Sequence, residues 1–523
     1  MTSSTFYQVV IIGAGAGGIA AACLLKKRGI ERFRVYEREP HIGGTWWTNR
    51  YPGVVRNLFS EAEQGTALYS FSFAPNYQSK TIYPSGADFV EYLVTVVQRA
   101  GISDKFQLAS EVRTVKWVAD ASEWELHISH STTKDVAART EIIRAEVVIS
   151  AIGILKEPII HSARWPADVN LGGKRIVVVG SGCSAAQIVP TILQNSAIES
   201  VTQIMRTPPW VIPRLEEPGG QEVYAKWAPR VLGAVPFLGF LMRMLICFVA
   251  ETHWFTIFKA GSVKGREQAE TVSCAHMVKH APTQYHSMLR PSYPIGCKRR
   301  VVDSDWLKSM HDSRFTLAHG SLVGVQGVKV LMLGPDPELQ EAATFSADTM
   351  ILATGFDISG LKHYMNITGR EGMTLQDVWA MRGGPNTLTG HTSVIMMIEN
   401  TLQYILRMIQ PVLTGDVSAI EPKPEAVQRW TQDIRRDTDQ TNVALYPWVS
   451  PVIDSMVICP LTLPPCQFHR RSQLDYYFRC CFPRHLDWKR TLTQRGQSRQ
   501  QSQSSIEYLA LATVLAALLY ALL

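Results

Sequence analysis

The sequence predicts an α/β fold with two Rossmann-like dinucleotide-binding domains and a helical insertion, on three observations. A short β-branched run leads into a glycine-rich turn and then a helix, first at the N-terminus and again near residue 180. Each of these units is followed by a second strand that ends on a charged residue. Between residues 231 and 258 lies an apolar stretch broken by Pro236, Arg243 and Glu251, which reads as buried or surface-lying helices and not as a membrane span.

The first unit runs Val9-Val10-Ile11-Ile12, then Gly13-Ala14-Gly15-Ala16-Gly17-Gly18, then a helix through Leu24 to Arg28 that Gly29 ends. Phe33 to Glu37 is its second strand. The other unit runs from Arg175 to Val179, through Gly180-Ser181-Gly182-Cys183-Ser184-Ala185, into a helix that reaches about Leu193, with Val201 to Arg206 as the following strand. Asp348 to Asp357 reads as a strand entering a glycine turn. Gly383-Gly384-Pro385-Asn386 reads as a loop, and a helix is expected from about Ser393 to Met408.

A lone Gly-x-Gly-x-x-Gly is weak evidence, but each copy here follows a strand and opens a helix. Gly13 permits the tight turn, Gly15 lets backbone approach a pyrophosphate, and Gly18 lets helix and strand pack closely. Gly180, Ser181, Gly182 and Ala185 repeat the arrangement, with alanine in the third glycine's place. The helix N-termini then offer free N–H groups to a diphosphate. Glu37 ends the first unit's second strand, where a carboxylate accepts from both ribose hydroxyls and repels a 2′-phosphate, so the first site favours FAD or NAD. The other strand ends on Arg206-Thr207, where a guanidinium suits a 2′-phosphate and favours NADPH. Two further strand ends, Ser150-Ala151-Ile152-Gly153 and Ala353-Thr354-Gly355, carry small residues that let the chain pass close to a bound dinucleotide.

Composition narrows the classes. The 523 residues are 46% apolar and 19% charged, with a net charge of +7, so the chain is globular and holds two or three domains. No Lys/Arg stripe interleaves with aromatics, which argues against nucleic acid as a partner. The nine cysteines include no Cys-x-x-Cys pair, which points to a reducing compartment and away from a flavin-dependent disulfide reductase. Tyr508 to Leu523 is an uninterrupted apolar run behind Lys489, Arg490, Arg495 and Arg499. As a helix it would measure about 24 Å, short of a ~30 Å hydrocarbon core. A tail anchor to an intracellular membrane with a cytoplasmic body is the expectation; a terminal helix packed on the protein or on a partner is the alternative.

The sequence resembles the Baeyer–Villiger monooxygenases, fungal ones in particular, over most of its length. Gly43-Gly44-Thr45-Trp46 followed by Tyr51-Pro52-Gly53 matches one family segment, and Tyr69-Ser70-Phe71-Ser72-Phe73 looks like its next flavin-side segment. His161-Ser162-Ala163-Arg164-Trp165-Pro166 matches the second half of the family fingerprint, with a tryptophan where N- and S-oxygenating relatives carry Tyr or Phe. Gly296-Cys297-Lys298-Arg299 matches the segment that supplies the family's active-site arginine. Gly384-Pro385-Asn386 and Gly390-His391-Thr392-Ser393-Val394 look like the substrate-side loop and helix. Three places depart from the pattern. Asn57 stands where the family has aspartate, Leu155 and Glu157 replace the fingerprint's opening Phe and Gly, and Thr441 to Phe468 lacks the family's C-terminal region.

The resemblance implies insertion of one oxygen of O₂ beside the carbonyl of a small hydrophobic ketone, giving an ester or lactone through a flavin C4a-peroxide, with NADPH as reductant. It assigns Arg299 as the catalytic cation, or Arg300 if the register slips by one. It gives Lys298 to the 2′-phosphate and Thr45, Trp46, Asn57 and Tyr69 to the flavin side, and makes His161 and Trp165 positioning residues in the interdomain linker. A polyketide or terpenoid pathway is the expected setting. N- or S-oxygenation by the same cofactors is the alternative, and a membrane-tethered dinucleotide-binding protein without turnover is a third reading. The expected layout is an FAD-binding domain in two parts, 1–154 and 351–490, the latter including the substrate-side region. These enclose an NADPH-binding domain, 155–350, with its helical insertion at about 215–290. A polar linker, 491–505, and a hydrophobic tail, 506–523, complete it.

Overall fold

Val9, Val10 and Ile11 are fully buried, and this β-branched run forms the middle of the first sheet as Thr5–Ile12. The computed structural model describes residues 5–53, 69–130, 139–153, 165, 169–214, 216–298, 300–335, 342–355, 365–382, 393–439 and 473–500. Asn57, His161, Arg299, the loop 383–392, the segment 441–468 and the tail 506–523 lie outside them.

Thr5–Ile12 lies between Phe33–Tyr36 and Arg139–Ser150, parallel to both, with Ile12 in register with Tyr36 and Ser150. The strand Phe106–Gln107 extends the sheet beyond Phe33–Tyr36. On the other side it turns antiparallel through Glu123–His130 and Ser110–Val118, and Asn366–Thr368 pairs at that edge. The chain thus leaves the first sheet after Ser150 and returns to it at Asn366.

The intervening residues form the second sheet, in the order Phe315–His319, Ser200–Met205, Arg175–Val179, Thr349–Leu352, all parallel. A three-stranded antiparallel meander, Ser321–Gln326, Lys329–Leu333 and Ala342–Ser346, sits between its last two strands in sequence. One hydrophobic core runs through both units: Val9, Ile11 and Phe89 of the first join Ile176, Val178 and Ile188 of the second, and Leu402 and Leu406 of a late helix.

The helical insertion grows from a two-stranded pair, Val211–Ile212 with Val301–Val302. Between them run Gln221–Ala234, Pro236–His253 and Val263–His280, with one π-helical turn at Trp254–Phe258. The apolar stretch is surface-lying: Phe237, Leu245 and Phe248 are each more than 60% exposed.

Two boundaries differ from the sequence reading. The helix expected from Ser393 to Met408 is Val394–Leu413, and it continues through Pro411, which removes a single hydrogen bond in the last turn. The expected polar linker 491–505 is ordered in its first half. Trp488–Leu492 pairs antiparallel with Val417–Pro422, and residues 494–500 are helical. The strand's last four residues are exposed, so no apolar alternation marks it in the sequence.

Candidate functional site

The first glycine turn is built by steric need. Gly13 has φ +103, and a Cβ there would lie 2.8 Å from the Ala151 carbonyl oxygen. A Cβ on Gly18 would lie 1.9 Å from the Gly13 oxygen, so no larger residue lets the helix Ala16–Lys27 begin here. Gly15 is the helix N-cap and carries no side chain to occupy the first-turn N–H groups. It faces Gly44, whose Cβ would come within 2.9 Å of the Gly15 Cα, and the Gly43 N–H donates to the Ala14 oxygen at 2.9 Å. The Gly43-Gly44-Thr45 segment therefore closes over the first turn.

Glu37 is buried. Its Oε2 accepts from the Ala14 N–H at 2.6 Å and its Oε1 from the Glu39 N–H at 2.9 Å. The carboxylate is held by backbone on one side and keeps acceptor capacity on each oxygen for the hydroxyls of a ribose. Close by, the side-chain nitrogen of Asn49 donates to the Thr45 oxygen at 2.6 Å and to Thr45 Oγ1 at 2.9 Å. Its buried Oδ1 accepts from no described residue. An orphaned buried acceptor costs about 1–3 kcal/mol, and a ligand donor at this place would relieve it. These features fit a dinucleotide with two free ribose hydroxyls. Trp46 and Tyr69 contribute differently: both are buried and meet edge-on at 5.7 Å, and each also packs on Phe89. They form the apolar wall behind the turn.

The second turn repeats the first. Gly180 has φ +122, and its Cβ would lie 2.3 Å from the Ala353 oxygen. The Ala353 N–H donates to the Val179 oxygen at 2.8 Å, as the Ala151 N–H does to Ile12 at 2.8 Å. Both small-residue strand ends named from the sequence thus lie against their glycine turns. Gly182 is the bare N-cap of Cys183–Leu193, and a Cβ there would meet nothing within 4 Å. Ala185 is fully buried, and the Ser181 hydroxyl donates to the Thr207 oxygen at 3.0 Å, tying the turn to the end of the next strand. Arg206 is exposed at that strand end. Lys298 is half-buried beside it, and burial together with the Arg206 charge holds its ammonium below the ordinary lysine value. Two cations brought together over a bare helix N-terminus fit an anion with charge beyond the diphosphate.

The two turns are physically joined. The Tyr51 hydroxyl donates to Gln187 Oε1 at 3.1 Å and accepts from Ser184 Oγ at 3.3 Å, so the first site's Tyr51-Pro52-Gly53 segment sits on the second site's helix. A Cβ on Gly53 would lie 2.3 Å from Thr191 Oγ1. The turn that carries Lys298 also rests there: Arg300 is buried, and the Cys183 thiol donates to its carbonyl oxygen at 3.9 Å. Trp165 is half-buried against the common core.

The sequence reading missed a clamp next to these sites. Glu399 Oε1 accepts from the Ser72 N–H at 2.7 Å and from its hydroxyl at 2.8 Å. Arg243 donates to Glu399 Oε2 at 3.5 Å and to the Ser70 oxygen at 2.8 Å. The available signal was a lone arginine in an apolar helix.

A family model for NAD(P)-binding Rossmann-like domains matches residues 11–78, and one for L-lysine 6-monooxygenase/L-ornithine 5-monooxygenase matches residues 63–214. A Baeyer–Villiger monooxygenase of Streptomyces coelicolor is 30% identical over 469 residues, spanning 83% of this chain and 84% of its own length. The FAD-binding monooxygenase ktnD of Aspergillus niger is 29% identical over 476 residues, spanning 83% and 75%. Cyclohexanone monooxygenase from Rhodococcus sp. Phi1, solved bound to NADP+, superposes with a TM-score of 0.71 at 22% identity over 94% of this chain and all of its own. Polycyclic ketone monooxygenase from Thermothelomyces thermophila superposes with a TM-score of 0.72 at 17% identity over 94% and 90%. The chain is a flavin-dependent monooxygenase. It belongs to the Baeyer–Villiger monooxygenase family, and its cofactors are FAD and NADPH.

Proposed function

We propose that this enzyme inserts one oxygen of O₂ beside the carbonyl of a hydrophobic ketone, giving an ester or lactone. The observation that carries this reading is the docking of Tyr51-Pro52-Gly53 on the helix Cys183–Leu193, which sets the two dinucleotide turns side by side. The matching segments around Trp46, Trp165 and Lys298 supply the family chemistry.

Gly13, Gly15 and Gly18 cradle the FAD diphosphate, Glu37 holds its ribose, and Thr45 closes the turn, with Trp46 and Tyr69 forming the apolar wall. Gly180, Ser181, Gly182 and Ala185 cradle the NADPH diphosphate, Arg206 and Lys298 grip its 2′-phosphate, and the Thr207 carbonyl fixes Ser181. FAD, when bound, supplies hydride acceptance and activation of dioxygen. Arg299 stands in sequence between Lys298, whose ammonium senses the Arg206 charge, and Arg300, whose carbonyl accepts from the Cys183 thiol. We assign its permanent charge to the oxyanion that develops as the ketone reacts. Asn57, which stands where the family has aspartate, could accept a hydrogen bond but supplies no charge to such a cation. The reading keeps an FAD-binding domain in two parts, 1–154 and 351–490, around an NADPH-binding domain. Fungal-type secondary metabolism, with a polyketide or terpenoid ketone as substrate, is the setting we propose from the resemblance to fungal members of the family. The run Tyr508 to Leu523 is assigned as a tail anchor on its composition.

One observation favours a second reading. The match of residues 63–214 to lysine and ornithine monooxygenases points to amine N-oxygenation. Purified enzyme separates the two. Ketone oxidation predicts a yellow protein whose NADPH consumption rises with cyclic ketones and whose product has gained one oxygen. Consumption that rises with lysine or ornithine alone contradicts it.

A further inference from the structure

The helix Pro236–His253 is amphipathic in the inverted sense. Phe237, Phe240, Leu241, Met244, Leu245 and Phe248 recur at i, i+3, i+4, i+7, i+8 and i+11, and form one stripe whose members are 46% to 69% exposed. The opposite face, at four-residue spacing, is Gly239, Arg243 and Cys247. Gly239 lies against the Tyr77 ring, where a Cβ would come within 2.2 Å. Arg243 reaches the Ser70 oxygen and Glu399, and the Cys247 thiol lies 3.5 Å from the Met396 sulfur. The charge therefore faces the protein, and the large apolar side chains face outward. A patch of this size on a folded protein marks a surface with a partner.

We infer that this stripe seats on an anionic lipid surface, the helix lying in the interface while its inner face stays packed on the enzyme. The inner face is packed on residues 70–77 and on the helix Val394–Leu413, and it carries the Arg243–Glu399 pair, so the helix lies along the surface of the enzyme. The charges around the stripe choose the partner. Lys226 and Arg230 are exposed before the helix, and Lys259 and Lys264 after it, against exposed Glu222 and Glu267. Cations at both ends of an apolar face suit phosphate headgroups. They oppose a second copy of the chain, since a twofold antiparallel pairing of this helix would set one cation pair against the other. The apolar run Tyr508 to Leu523 gives the same chain a second membrane-seeking segment, and stable anchoring generally takes two such signals.

The test uses the full chain with a polarity-sensitive fluorophore on Met244→Cys, read against the labelled chain without that cysteine. On vesicles of phosphatidylcholine with phosphatidylserine, the chain is expected to float with the lipid and the probe emission to shift blue. Phosphatidylcholine alone should give a weaker response. Adding Phe240→Gln, Leu245→Gln and Phe248→Gln should abolish the blue shift and weaken vesicle binding by about tenfold or more, with the unfolding temperature unchanged. A chain that floats while the probe stays in water would leave the tail as the sole anchor and overturn the inference. So would a chain that does not float, or one whose probe is already shielded without vesicles in a dimer that the triple substitution disperses.

Discussion

Arg206 and Lys298 stand 92 positions apart in sequence, yet the fold brings them near enough that the lysine's charge is opposed by burial and by the arginine. On the proposed assignment, the 2′-phosphate of NADPH offsets that repulsion. Charge-assisted hydrogen bonds contribute about 1.5–3 kcal/mol, and about 1.4 kcal/mol is tenfold in affinity. Arg206→Ala or Lys298→Ala should therefore raise the KM for NADPH by about ten- to a hundredfold while leaving that for NADH nearly unchanged. Steady-state kinetics with both coenzymes checks this, and equal losses with both would place the cations away from the 2′-phosphate. Much at this scale was legible in the sequence. Gly13, Gly18 and Gly180 are where no other residue fits, a local demand that leaves a local mark. Glu37 and Arg206 follow from strand length alone. Asn49 left no such mark, because its orphaned oxygen depends on how the Thr45–Thr48 turn folds back on it.

Among the elements, the link least visible in the sequence is the one between the insertion and the flavin-side segment. Arg243 and Glu399 are 156 residues apart, so no sequence window holds both. The strand Trp488–Leu492 escaped notice for a different reason: it is an exposed edge without apolar alternation, so the linker boundary expected at 491 cuts through it. The two Rossmann units were visible because apolar period and glycine turn agree over a few neighbouring residues. Glu399 also makes the clamp testable. Burial pushes its carboxyl above the ordinary glutamate value, opposed by the Ser72 hydrogen bonds and by Arg243. A folded-state pKa above the unfolded one means this group's stabilising proton linkage is complete below the unfolded value of about 4.3. It is lost as pH rises through the folded value. Glu399→Gln keeps an acceptor for Ser72 but removes the titration. The wild-type fall in stability as pH rises above about 4.3 should flatten in the variant, as measured by denaturant unfolding across pH. An unchanged slope would mean the carboxylate is not held above its ordinary value.

At the scale of the whole molecule, one core threads both sheets, and the first chain segment returns at Asn366 to the edge of the sheet it left at Ser150. Two nucleotide turns are thereby fixed in one body, with Tyr51 bridging to the helix that begins the second. The 30% identity to the Streptomyces coelicolor enzyme and the superposition on cyclohexanone monooxygenase agree with that architecture. What the enzyme does with its arrangement is read most directly by running it on a hydrophobic cyclic ketone with NADPH under ¹⁸O₂ and analysing the product by mass spectrometry. The expected product is a lactone carrying one ¹⁸O at the ring position, formed with stoichiometric NADPH oxidation. Unchanged ketone, beside an ¹⁸O-labelled hydroxylamine when an amine is supplied instead, would contradict it.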